Sequence, residues 1–316
     1  MYTFIILLYY LLKNFLFYDS LQFIFLYFYY YFDLLLLYIE QPFYNHVKII
    51  EPIFIFGFPR SATTTFHESL YRSTNICSLT CYDTTVKSNI MKFLLNFFHL
   101  NFIIDYLLNK NNTNGHGISP TALGEEHYTL FRIIIRNIHS LLIVVPQDVL
   151  SEVMEIKKHH LQIIKMVITR KIKKNEIFVG KSLFLAPYLN DYLEVFPDMR
   201  KIHCKRNFDD CFKSFITLVY NISKIKNNYI DEHNFNIFIK NIYHLNMKKT
   251  RLCIDSIDFE YTINFQDWCD DLKKQLKDVI DHFKIPKKDK LIEYKESKNI
   301  PLPDNLMSIY NSYIMH

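Results

Sequence analysis

Arg60, Ser61, Thr63 and Thr64 crowd into one short polar loop, Phe58-Pro59-Arg60-Ser61-Ala62-Thr63-Thr64, directly after the apolar run Ile53-Phe54-Ile55-Phe56-Gly57. An apolar strand that enters a helix through such a loop can hold an anion. The first-turn N–H groups of the helix lack carbonyl partners, and the positive end of the helix dipole adds to them, so a phosphate or sulfate fits there. Proline, serine and threonine also suit ordinary turns and caps, which leaves a purely structural role open for the loop taken alone. A nucleoside-triphosphate P-loop is weakened by register. Counted from Gly57, its Gly-Lys-Ser/Thr falls on Ala62-Thr63-Thr64, so the lysine that grips phosphate is missing and the cation stands earlier, at Arg60.

The loop resembles the 5′-phosphosulfate-binding loop of the sulfotransferases, whose usual form is Phe-Pro-Arg-Ser-Gly-Thr-Thr. The resemblance implies that Arg60, Ser61, Ala62, Thr63 and Thr64 hold the phosphosulfate of 3′-phosphoadenylyl sulfate (PAPS). A second stretch, Val195-Phe196-Pro197-Asp198-Met199-Arg200-Lys201-Ile202-His203-Cys204-Lys205-Arg206 and on to Ser214, is similar to that family's 3′-phosphate block. There a strand ends in Arg-Asp-Pro and a serine follows eight residues after the arginine. Arg206 and Ser214 keep that spacing. An arginine leaving a strand's carboxyl end and a serine returning on the next helix can meet one phosphate, the former through paired charge-assisted hydrogen bonds.

Between these blocks, His116-Gly117-Ile118-Ser119-Pro120-Thr121-Ala122-Leu123-Gly124-Glu125-Glu126-His127 looks like a segment of the sulfotransferase family 3 branch. Its Glu-Glu pair equally suits a helix N-terminus. Asp258-Phe259-Glu260-Tyr261 and the amphipathic run to Ile285-Pro286 are similar to the strand and helix that close the family's fold. The resemblance covers residues 45–316. It implies a P-loop-containing three-layer α/β/α fold with a mainly parallel central sheet.

The chemistry so implied is sulfuryl transfer from PAPS to an acceptor hydroxyl, with adenosine 3′,5′-bisphosphate leaving. A base takes the hydroxyl proton and cations stabilise the leaving oxygen. Arg60 is expected at that oxygen with Thr63 and Thr64, and Asp83, in Tyr82-Asp83 where the family often has Trp-Glu, is expected as the base. No metal is required, since a sulfuryl group carries less charge than a phosphoryl group. The chain departs from the pattern at Ala62 for glycine, Asn207-Phe208 for Asp-Pro, Leu183 for a proline and Leu185 for a histidine. Lys181 stands either in the cleft or in solvent.

The elements that must position these groups follow from the chain's periodicity. Its 316 residues suffice for one sizeable α/β core, and short apolar runs alternating with helical stretches fit a mainly parallel sheet, whose ligands sit at the strands' carboxyl ends. A net charge of +5 favours anionic small molecules but lacks the basic stripe of a nucleic-acid binder. Cysteines 77, 81, 204, 211, 253 and 269 show no zinc-like pairing. Residues 109–115 and 223–233 read as exposed loops and 171–175 as a turn.

Residues 1–40 read as a separate hydrophobic segment of N-terminal helices, with Lys13, Asp19 and Asp33 as its charges up to Ile39. It is either a membrane anchor, spanning or interfacial, or a helix pair packed on the domain at 45–316. An anchor would make the protein membrane-associated, in the manner of Golgi or endomembrane enzymes. Three readings stand: a PAPS-dependent sulfotransferase, a protein of that fold without turnover, and a P-loop nucleotide kinase. The acceptor is a hydroxyl on a carbohydrate, lipid or small alcohol, and the variable loops that shape its pocket carry no readable code.

Overall fold

The computed structural model describes residues 2–13, 17–100, 121–124, 145–146, 148–149, 155–156, 158–181, 186–225, 236–237, 239–241 and 247–288. In chain order the elements are α1 (Tyr2–Lys13), α2 (Phe17–Tyr44), β1 (Ile53–Gly57), α3 (Thr63–Ser73), β2 (Ile76–Cys77), α4 (Cys81–Thr85), α5 (Asn89–Phe97), α6 (Lys158–Lys171), β3 (Ile177–Lys181), α7 (Leu189–Val195), β4 (Arg200–Lys205), α8 (Phe208–Ile225), α9 (Lys248–Ile254), β5 (Tyr261–Asn264), α10 (Phe265–Asp270) and α11 (Leu272–His282). They fall into two compact units, one from Met1–Lys48, Leu79–Asn111 and Gly117–Lys171, the other from Ile49–Ser78, Asn112–His116 and Ile172–His316.

The second unit holds the sheet, five strands in the order β2-β3-β1-β4-β5 with every pairing parallel. All five residues of β1 are buried, as a parallel strand covered on both faces requires. Ile53 and Ile55 join Phe66 and Leu70 of α3 and Val279 and Ile280 of α11 in one cluster. Phe54 points the other way, its ring 5.3 Å from that of Tyr192 and 5.4 Å from that of Phe196. The period-two alternation thus assigns one face of β1 to α3 and α11 and the other to α7, which gives the helix–sheet–helix layering expected from the resemblance.

Topology brings the chemistry together. β1 lies between β3 and β4, with Ile55 in register with Lys181 and Gly57 with Cys204. The loop after β1, the last residue of β3 and the residues after β4 therefore emerge side by side at the carboxyl edge, where the strand order reverses.

The first unit is helical. Leu26 and Leu36 of α2 pack with Cys81, Val86, Met91 and Leu95. Asp33 is fully buried and accepts hydrogen bonds from the Lys87 and Ser88 amides at 2.7 and 2.9 Å, with the Lys87 ammonium 3.6 Å away. Seven residues on, Glu40 accepts from the Asn89 amide at 2.9 Å and from the Ile90 amide. Ser88 caps α5 through its hydroxyl, 2.8 Å from the Met91 amide. Two carboxylates of a mostly apolar helix thus neutralise the positive end of α5. Asp33, which interrupts the hydrophobic segment in the sequence, serves as an attachment point. Among the described residues, Phe23–Tyr44 is also long and apolar enough to cross a membrane.

Candidate active site

At Gly57, the last residue of β1, no larger residue fits. A Cβ there would lie 2.5 Å from Ser61 Oγ, 2.8 Å from Thr63 Cγ2 and 2.9 Å from the Cys204 carbonyl oxygen. The last is backbone of the neighbouring strand and cannot swing aside. Gly57→Ala should therefore destabilise the protein by about 1–3 kcal/mol, read as a lower denaturant midpoint; an unchanged midpoint would show that the loop does not hug the strand.

The loop itself is strained. Arg60 and Ala62 have φ of 72° and 67°, the left-handed region, at roughly 1–2 kcal/mol each for residues with a Cβ. Ala62 takes the conformation that glycine would adopt freely. Several bonds hold the turn: the Ser61 amide donates to the Phe58 carbonyl at 3.1 Å, the Ser61 hydroxyl to the same oxygen at 2.8 Å, and the Phe66 amide to the Ala62 carbonyl at 2.9 Å. Ser61 is thus a loop-shaping residue whose hydroxyl faces inward. Ala62 is the N-cap of α3 and offers no side-chain cap. Ala62→Gly should raise stability by up to about 1 kcal/mol, the relieved strain less glycine's larger unfolded-state entropy. A clear loss of melting temperature would contradict this account of the turn.

The two sequence motifs meet. Arg60 Nε donates to Ser214 Oγ at 3.0 Å, and Arg206 Nη1 donates to the Arg60 carbonyl at 2.7 Å. Arg206 is further fixed by Phe265, whose ring centre is 4.0 Å from the guanidinium carbon. The Arg60 side chain, expected at the leaving oxygen with Thr63 and Thr64, reaches toward the helix that carries Ser214. The cation at Thr64 is Lys181: it is 4% exposed and its ammonium donates to Thr64 Oγ1 at 2.7 Å. The solvated alternative for Lys181 is thereby corrected. Its position at the end of β3, the strand beside β1, was the available signal. Phe265 carried none beyond following a strand.

Below the loop, His67 is buried, with Nε2 3.2 Å from the Val179 carbonyl and 3.0 Å from Ser78 Oγ. Burial, with the charge of Lys181 adding to it, lowers the His67 pKa to about 3, so the imidazole is neutral near pH 7. Neutral imidazole donates through Nε2–H to Val179.

Asp83 belongs to the first unit. Its carboxylate closes a capping box with Thr80, accepting from the Thr80 amide at 3.0 Å and hydroxyl at 2.7 Å. It also pairs with Lys92 at 2.8 Å and with Lys171, and Arg170 Nη2 stands 3.7 Å away. Burial alone would raise its pKa, but the charges of Lys92 and Lys171 prevail and hold it far below the usual carboxylate range. Glu125, Glu126, His127, Ser182, Leu183 and Leu185 lie outside the described residues.

A backbone cradle that a Cβ would fill, a helix N-terminus without a side-chain cap, and the cations Arg60, Lys181 and Arg206 suit a ligand with two anionic groups. This combination matches a known family. The sulfotransferase family model fits residues 52–289, more than half of the chain and both motifs. In fold, the chain is similar to sulfotransferase STF1 from Mycobacterium tuberculosis H37Rv, with TM-score 0.55, 14% identity, and coverage of 86% of this chain and 73% of that one. It is similar also to sulfotransferase STF9 from Mycobacterium avium, with TM-score 0.55, 11% identity, and coverage of 87% and 70%. No curated protein matches the sequence. Loop, sheet order and family match agree, and the chain belongs to the sulfotransferase family.

Proposed function

We propose that this protein transfers a sulfuryl group from PAPS to an acceptor hydroxyl. The observation that carries the reading is the clasp between the two motifs, Arg60 to Ser214 and Arg206 to the Arg60 carbonyl, with Lys181 on Thr64 beside it. When bound, the donor supplies an electrophilic sulfur and a phosphate leaving group. Thr63, Thr64, Lys181 and the first-turn amides of α3 would hold the phosphosulfate, and Arg206, Ser214 and Arg60 the 3′-phosphate. Lys181 takes over the leaving-oxygen role first expected of Arg60, because it is the buried cation at the helix start. Its desolvated charge acts there more strongly than it would in water.

Asp83 takes no part in the proton transfer. A carboxylate already satisfied by Thr80, Lys92 and Lys171, with a strongly lowered pKa, has little drive to take a proton from a hydroxyl. That same observation favours a second reading, a sulfotransferase-fold protein that binds the nucleotide without turnover. Radiolabelled PAPS offered with pools of carbohydrates, lipid alcohols and small phenols separates the two. Label transferred to one pool, and lost in Lys181→Met, supports the enzyme; nucleotide binding with no transfer to any pool supports the second reading.

A further inference from the structure

The outward face of α2 takes no part in the site. Leu26, Asp33, Leu37 and Glu40 are buried, whereas Phe25, Phe28, Phe32, Leu35, Ile39 and Phe43 are between 46% and 72% exposed. Their spacing of three and four residues lines them along one side of the helix, a stripe about 27 Å long at 1.5 Å per residue. No charge interrupts it, because the acidic residues Asp33 and Glu40 are turned inward onto α5. An uninterrupted apolar patch of this extent is uncommon on a soluble monomer.

We infer that α2 docks in plane on a lipid surface, its phenylalanine stripe sunk at the boundary between headgroups and acyl chains, and does not cross the bilayer. Three observations select this occupant and this posture. Crossing would carry Asp33 and Glu40, with the Lys87, Ser88, Asn89 and Ile90 amides they bind, into hydrocarbon, where a short capped helix and buried ion pair have no place. Tyr31 and Tyr38, 47% and 52% exposed, lie about a quarter-turn to one side of the stripe, where their hydroxyls reach the headgroups while the rings stay with the apolar band. Exposed cations flank the helix, Lys13 at the end of α1 and Lys48 just beyond α2, and complement anionic headgroups. The inference is independent of the nucleotide reading.

The test uses the full-length chain and vesicles of phosphatidylcholine with and without phosphatidylserine. The protein should float with the vesicles, more strongly when phosphatidylserine is present. The triple variant Phe25→Glu, Phe32→Glu, Ile39→Glu should lose about tenfold or more of its partitioning while its thermal midpoint holds, since these side chains already face outward. Phe25→Trp, Phe32→Trp and Ile39→Trp, each made singly, should be quenched to the same degree by lipids brominated near the headgroup. Quenching that grades along the helix would mean a spanning segment and overturn the inference. So would a wild-type chain that ignores vesicles, or one that dimerises through the stripe instead. If the triple variant fails to fold, the tryptophan series decides.

Discussion

Asp83→Ala should lower the unfolding free energy by about 3–5 kcal/mol, a large share of an ordinary domain's stability. The carboxylate faces Lys92, Lys171 and Arg170, with Arg170 only 2% exposed at its side chain. Removing it takes away the carboxylate that faces a buried cation and also breaks the capping box of α4. Acid should act the same way. Because the folded-state pKa is lowered, Asp83 contributes its full stabilisation above its unfolded pKa, near 4, and loses it as the pH falls through the folded value. Melting curves of wild type and Asp83→Asn should therefore run parallel from pH 7 to about pH 5 and converge in stronger acid. If Asp83→Asn instead melts like wild type and abolishes sulfuryl transfer, Asp83 is the base expected from its place in the sequence, and the anchoring role is wrong.

Arg206→Ala and Arg60→Ala should each weaken binding of adenosine 3′,5′-bisphosphate by roughly 10- to 100-fold, the loss of a charge-assisted hydrogen bond of about 1.5–3 kcal/mol. The double variant should lose less than the product. Arg206 donates to the Arg60 carbonyl and so props the left-handed turn that aims Arg60 at Ser214. Once either is gone, part of the other's contribution has gone with it, a coupling of about 1 kcal/mol in a double-mutant cycle. Arg206→Lys should rescue little, because an ammonium cannot both stack on Phe265 and fork toward the carbonyl and a phosphate. Strict additivity would show that the two arginines serve separate sites.

The fold was largely legible because its signals are local. The Ile53-Phe54-Ile55-Phe56 run reads as an apolar strand feeding a polar loop, and Arg206 and Ser214 stand at a spacing that a strand-to-helix turn allows to meet. What the sequence hid depends on partners distant along the chain. Lys181 becomes a site residue only because β3 pairs with β1, placing its ammonium on Thr64. Arg60 is expected at the leaving oxygen from its place in the loop; its contact with Ser214 depends on the positive φ at its own backbone and on a helix residue 154 positions on. Asp83 looked like a base from its position after the loop, and the cations that restrain it come from helices nine and nearly ninety residues away. The helix around Asp33 reads by composition as a membrane anchor or a packed helix pair, and the amides that satisfy that carboxylate lie more than fifty residues on.

Calorimetric titration of the full-length chain reads whether it holds a nucleotide with separate 5′ and 3′ anionic groups. Adenosine 3′,5′-bisphosphate should bind with an affinity that falls in Arg206→Ala, while ATP with magnesium should bind far more weakly, since the loop lacks the lysine of a triphosphate site and Arg60 and Arg206 are proposed to take a 3′-phosphate. A preference for ATP with magnesium, or equal binding of adenosine 5′-monophosphate and the bisphosphate, would contradict the account.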